Sequence, residues 1–208
     1  MDKAEQFLKE HHIHTLGGKD DFEEEFSGYK WSATVIQQPD LLEEYVRLIG
    51  LIGATIQNME VVEYPCLFGP ISPDVWTLEW DNVMVLMTDR GNFEIAYRES
   101  SSFCISQNCI PERFYCKAKT EAMDSVKKLF SCLKGDTITD ISTKSSSFNY
   151  ADNEFTGSWG IGLEENLSSY LRECCLILKS GRYLSLTSDF DWGIISLYDK
   201  DDQLVHLV

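Results

Sequence analysis

The feature that most constrains this chain is an order of elements that occurs twice. Pro39 opens a stretch in which Leu41, Leu42, Tyr45, Leu48, Ile49 and Ile52 recur on one helical face. Proline suits a first helical position, where its missing N–H would have no partner. Gly53 is placed to end this helix in a left-handed conformation, and Thr55 to Tyr64 then reads as a strand. Further on, Thr120 can cap a second helix in which Met123, Val126, Phe130 and Leu133 share a face. Gly135 ends it, and Thr137 to Thr143 is strand-like. With Gly53 set on Gly135, Leu48 falls on Phe130, Leu51 on Leu133, Ile56 on Ile138 and Met59 on Ile141.

The match continues at a slightly larger offset. Trp76 to Met87 and Phe93 to Tyr97 flank Thr88 to Asn92, where Asp89 and Gly91 signal a hairpin. Cys175 to Tyr183 mirrors Val85 to Phe93 around Gly181, and Ile105-Ser106 falls on Ile195-Ser196. Phe103 to Ile105 is a further short strand. The expected fold is α+β, built from two diverged helix-plus-antiparallel-strand modules that bury their apolar faces against each other. Residues 1–37 hold an N-terminal helix (Lys3 to about His12), an acidic loop around Asp20 to Glu25 and a strand from Tyr29 to Ile36. Residues 38–111 form the first module and 112–208 the second, together one compact domain.

Hydrophobic residues make up 43% of the chain and aromatics 12%, enough to build a core. Charge is less ordinary: Lys and Arg number 18 against 34 Asp and Glu, a net −16. Such a chain is repelled by nucleic-acid phosphates and anionic membranes and attracted to basic partners. Acidity for solubility alone is the bland alternative. Negative charge concentrates late, with 4 basic and 10 acidic residues in 146–208. The start of the chain lacks a basic-then-apolar leader, and no apolar run reaches the ~18 residues of a spanning helix. The 7 cysteines are odd in number and irregularly spaced, which reads as reduced thiols and a cytoplasmic location.

Candidate chemistry is sparse. His11, His12 and His14 could chelate a metal, but no Cys or His pair at ligand spacing completes a tetrahedral set, so an exposed helix end is the simpler reading. Cys104, Cys109, Cys174 and Cys175 have no histidine nearby in sequence to generate a thiolate and read as small buried residues. Gly157 to Gly162 looks superficially like a phosphate cradle, yet Glu164 and Glu165 follow it and would repel phosphate. The carboxylate pairs Glu79 with Asp81, Glu164 with Glu165 and Asp189 with Asp191 could serve acid–base chemistry, though an acidic composition produces such pairs unaided. No cofactor and no metal are expected.

Ser188-Asp189-Phe190-Asp191-Trp192-Gly193 stands apart. Carboxylates beside aromatics suit a cationic partner, because an indole face attracts Arg or Lys. Asp189, Asp191 and Trp192, with Trp159 and Trp76, are the candidate partner-binding residues, and Trp80 is a further companion. The competing view makes Phe190 and Trp192 core residues around a turn. The blocks Val85 to Tyr97 and Cys175 to Leu186, followed by Asp189 to Gly193, resemble the acidic immunity-type and mobile-element inhibitor proteins of bacteria. That resemblance implies stoichiometric inhibition of a toxin or nuclease. The expected function is therefore non-enzymatic: binding a basic protein and occluding its cationic surface. The alternatives are a small-molecule or nucleotide hydrolase using surface carboxylates, and a structural adaptor.

Overall fold

The structure, a computed structural model, describes residues 2–13, 15–16, 33–36, 38–62, 77–80, 83–98, 102–112, 115, 128, 131–146, 170–189 and 192–205. Phe130 and nearly all of the expected second helix lie outside the described residues, as do Gly157 to Gly162. Residues 131–133 are helical. Among the described residues no helix is long and apolar enough to cross a membrane.

Helix α1 spans Lys3–Glu10 and buries Phe7 against Tyr45 of α2, Pro39–Leu48. Asp40 in the first turn and Arg47 in the last suit the helix dipole. The buried stripe of α2 is Leu42, Tyr45 and Val46. Leu48, expected on that stripe, is 37% exposed, because as the last residue of α2 it falls on the flank beyond Tyr45, away from the side on which Leu42 and Val46 are buried. The cap is Gly50 (φ +81°), not Gly53. Its N–H bonds to the Arg47 carbonyl and that of Leu51 to the Val46 carbonyl, and Leu51 turns back into the core.

Two antiparallel sheets follow. Strands β1 (Thr15–Leu16), β2 (Ala33–Ile36), β3 (Ile56–Val61), β5 (Met84–Thr88), β6 (Gly91–Arg98) and β7 (Ser102–Gln107) form the first, in the order β1-β2-β7-β6-β5-β3. The second contains β4 (Thr77–Trp80), β8 (Ile138–Ser146), β9 (Tyr170–Leu178), β10 (Tyr183–Asp189) and β11 (Trp192–Tyr198), in the order β4-β11-β10-β9-β8. Alternation along each strand sends one face inward. Leu86, Phe93, Ile95, Phe103 and Ile105 of the first sheet meet Leu176, Leu184, Leu186, Ile195 and Leu197 of the second in one core, which α1 and α2 help close. Helix α2 reaches the edge strand β8 through Arg47 to Asp140 and through Glu43, which accepts from Thr143 at 3.0 Å. A helix against a sheet edge protects it from pairing with other chains.

The mixed α+β expectation holds, with one redistribution. Trp76 to Met87 was expected as a single segment before the hairpin. It is instead divided, with β4 beside β11 in the second sheet and β5 in the first. β4 ends at Trp80 and β5 begins at Met84.

The strands β3-β5-β6-β7 and β8-β9-β10-β11 are paired in the same consecutive way, and even a register shift recurs, after Ile56 and after Ile138. The two meanders join at a seam. Gly53 N–H bonds to the Ile138 carbonyl at 2.6 Å and Gly135 N–H to that of Ile56 at 2.8 Å. Ile138 N–H meets the Ala54 carbonyl at 2.9 Å and Ile56 N–H that of Asp136 at 2.8 Å. Thr55 and Thr137 face each other, hydroxyl to hydroxyl at 3.2 Å. Each turn then docks on its own threonine, Asp89 N–H on the Thr55 carbonyl and Lys179 N–H on that of Thr137. Exchanging 53–56 with 135–138 maps each of these bonds onto another. The turns themselves differ by one residue. Leu86 pairs with Phe93, whereas Leu176 pairs with Leu184, so the alignment of Phe93 on Tyr183 is one residue out beyond Gly181. Phe93 and Leu184 are core residues, and Tyr183 lies on the outer face stacked on Tyr198 at 4.9 Å.

Candidate functional site

Strands β10 and β11 pair antiparallel along their whole described length. Asp189 stands opposite Trp192 and Ser188 opposite Gly193. On the other side of β11, Gly193 pairs with Trp80 of β4. Asp189, Trp192 and Trp80 are thus gathered by backbone pairing at one end of the second sheet. Asp191, Trp159 and Trp76 lie outside the described residues. Of the expected carboxylate pairs, the backbones of Glu79 and Asp189 are placed in strands, and Asp81, Glu164, Glu165 and Asp191 lie outside the description.

The opposite end of this sheet carries an acidic-aromatic group that the sequence reading did not single out. Tyr183 and Tyr198 stack there within 9° of parallel. Burial and a hydrogen bond to the Asp202 carboxylate push the Tyr183 phenol well up. Asp199 shapes the adjoining turn by accepting the N–H groups of Asp201 at 2.8 Å and Gln203 at 3.0 Å.

The buried carboxylates were also missed. Glu94 of β6 is fully buried on the outer face of the first sheet. Its Oε2 accepts from the Ser106 hydroxyl at 2.6 Å, and its Oε1 from the N–H groups of Cys109 at 3.0 Å and Ile110 at 3.1 Å. Burial raises its pKa against the pull of those donors. On the outer face of the second sheet, Glu173 accepts from Ser185 at 2.6 Å, Cys175 at 3.2 Å and Lys144 at 2.7 Å. Burial disfavours its charge too, but these donors outweigh it and hold the carboxyl below its ordinary value. Asp136 repeats that balance: burial is outweighed by bonds from Ser180, Thr137 and Arg182. It thereby ties the β9–β10 turn to the seam. No sequence signal separates Glu94 or Glu173 from an exposed strand carboxylate: Glu94 stands between Phe93 and Ile95, and Glu173 beside Arg172, as solvated positions would.

Among the described residues the cysteines are buried or half-buried, and His11 and His12 are exposed at the end of α1. Burial pushes the thiols of Cys109 and Cys174 up, and that of Cys175 to about 12, so all three are thiols near neutral pH and poor nucleophiles. His11 lies against Phe7 at 4.5 Å, and His12 takes the left-handed position (φ 54°) that ends α1. His14 and His206 lie outside the described residues. Among the described residues no three His, Cys, Asp or Glu side chains come together as a metal site. No protein family, curated protein or solved structure matches the chain.

Proposed function

We propose that this chain is a binding protein that recognises a basic protein, a toxin or nuclease, and covers its cationic surface. The observation that carries the reading is the register that gathers Asp189, Trp192 and Trp80 at one sheet end, in a chain of net charge −16. Charge of that size steers a basic partner into encounter, and aromatic residues at the contact slow its departure. We read the two meanders as diverged copies of one module. The exchangeable seam bonds and the recurring register shift support that reading, since chance resemblance of two antiparallel meanders does not require the same shift at the same place. Duplication yields a rigid platform whose strand ends are held by backbone pairing, which suits a contact surface.

The test is capture of partners by the purified chain, followed by association and dissociation kinetics at low and high salt. Asp189→Asn with Asp191→Asn is expected to slow association, and Trp192→Ala to speed dissociation, with association falling steeply as salt rises. A tight partner that ignores salt, or that binds the triple variant as well as the parent, removes the reading. Loss of binding on Tyr198→Ala alone moves the contact to the opposite end of the sheet. Turnover of a small molecule without any protein partner favours the hydrolase.

A further inference from the structure

The outer face of the first sheet is apolar where it meets the residues that follow β7. Ala33, Val62, Val83, Val85, Ala96 and Cys104 form a second buried cluster with Ile110 and Tyr115. The covering segment, Gln107–Glu112 with Tyr115, is tied down at both ends. Asn108 N–H bonds to the Asn92 carbonyl at 2.8 Å, and the Tyr115 hydroxyl bonds to the Asn92 side chain at 3.0 Å and the Ile110 carbonyl at 3.3 Å. At its centre the anchor is Glu94, through the amides of Cys109 and Ile110.

Among the described residues that anchor is a carboxyl without a counter-charge. The groups that face it are the Ser106 hydroxyl, the Cys109 thiol and, further off, the Tyr115 phenol, with Val85 opposite it in register. The carboxylates that act on Tyr115 besides Glu94 are Glu112 and Glu60. None of these groups is positive. Both protonation states can be accommodated. Oε1 accepts the two amides in either state. The 2.6 Å bond at Oε2 runs from Ser106 to the carboxylate, or reverses when Oε2 carries the proton. Hydrogen bonding is therefore kept in both states, and what differs is the cost of holding a charge away from water.

We propose that Glu94 makes Gln107–Glu112 with Tyr115 a pH-gated cover, closed over the outer face while the carboxyl is protonated and loosened as it ionises. Opening the cover returns the carboxyl to water. A group whose pKa is raised in the closed state stabilises that state fully below its ordinary value of 4.5, and progressively less as pH rises through the raised value. Loosening exposes an apolar strip of Val83, Val85 and Ala96 without disturbing the inter-sheet core, which lies on the other face of the same strands.

The experiment is amide hydrogen exchange from pH 4 to 8, corrected for intrinsic exchange, read at Cys109 and Ile110 with Leu86 and Ile105 as core references. In the parent, protection at Cys109 and Ile110 is expected to fall as pH rises from the ordinary carboxyl value of 4.5 to the raised value of Glu94, by up to about tenfold per pH unit, the limit for one proton, and then to level off, while the references stay constant. Glu94→Gln removes the charge and is expected to flatten the profile. Ser106→Ala keeps the carboxyl but removes a donor to its ionised form, so the fall continues to higher pH before it levels off. That second variant serves if Glu94→Gln does not fold. Protection independent of pH in the parent overturns the proposal, as does protection that rises with pH, a fall that survives Glu94→Gln, or a window unmoved by Ser106→Ala.

Discussion

The seam offers a matched pair of glycines whose substitution should cost different amounts for a reason visible in the coordinates. Gly53 and Gly135 take equivalent places on it, with φ of +87° and +83°. Alanine at either site forces an L residue into the left-handed region, at about 1–2 kcal/mol. A methyl at 135 meets nothing within 4 Å. At 53 it would stand 2.8 Å from Nη2 and 3.1 Å from Nη1 of Arg90. Arg90 is an exposed, flexible side chain, so the guanidinium moves and the backbone stays. What is lost is the pair of bonds from Nη1 to the Ile52 carbonyl at 2.8 Å and the Gly50 carbonyl at 3.3 Å. Exposed bonds of this kind are worth about 0.5 kcal/mol each. Gly135→Ala should therefore cost about 1–2 kcal/mol and Gly53→Ala about 2–3 kcal/mol, a gap of roughly 2–4 °C in Tm for a chain of this length. Urea denaturation of the parent, both single variants, Arg90→Ala and the double variant Gly53→Ala with Arg90→Ala measures it. In the Arg90→Ala background the cost at 53 should drop to that at 135, a coupling of about 1 kcal/mol. Equal costs at the two glycines in the parent, or an excess at 53 that survives removal of Arg90, would refute the reasoning.

Other expectations can be checked in the same assays. Leu42→Ala empties a fully buried site and should cost about 2–5 kcal/mol, whereas Leu48→Asp, on a side chain 37% exposed, should stay within about 1 kcal/mol; unfolding of the latter variant would show Leu48 to be core. Asp136→Ala removes the acceptor for Thr137, Ser180 and Arg182 and should cost about 1–3 kcal/mol at neutral pH. Because the folded pKa of Asp136 is lowered, the stability it lends is present above its ordinary value of 3.8 and is lost as pH falls through the depressed one. The stability gap between parent and Asp136→Asn should therefore narrow only below that value, and a gap that closes above pH 5 would contradict it. Glu173→Ala leaves Lys144, Ser185 and Cys175 without their shared acceptor and should raise the reactivity of Cys175 toward alkylating reagents, since its thiol loses the carboxylate that disfavours the thiolate; unchanged reactivity would sever that link.

Local signals carried much of the architecture. Proline at 39, glycines at 91, 135 and 181, and apolar, aromatic and β-branched runs between turn signals identify α2 and most of the strands, because backbone conformation depends on near neighbours. The hairpin glycines and the matched seam positions were legible for the same reason. Tertiary structure decided what neighbours in sequence do not encode. The early end of α2 follows from Gly50 taking the left-handed position and Leu51 being drawn into the core, and the exposure of Leu48 from which face of α2 packs inward. The transfer of Thr77–Trp80 to the second sheet depends on a free edge at β11, more than a hundred residues later in the chain. Glu94 illustrates the difference most directly. In sequence it is one polar position of an alternating strand, identical in pattern to a solvated one. Its burial, and hence its altered titration, exists only because the residues after β7 fold back over that face and point two amides at it.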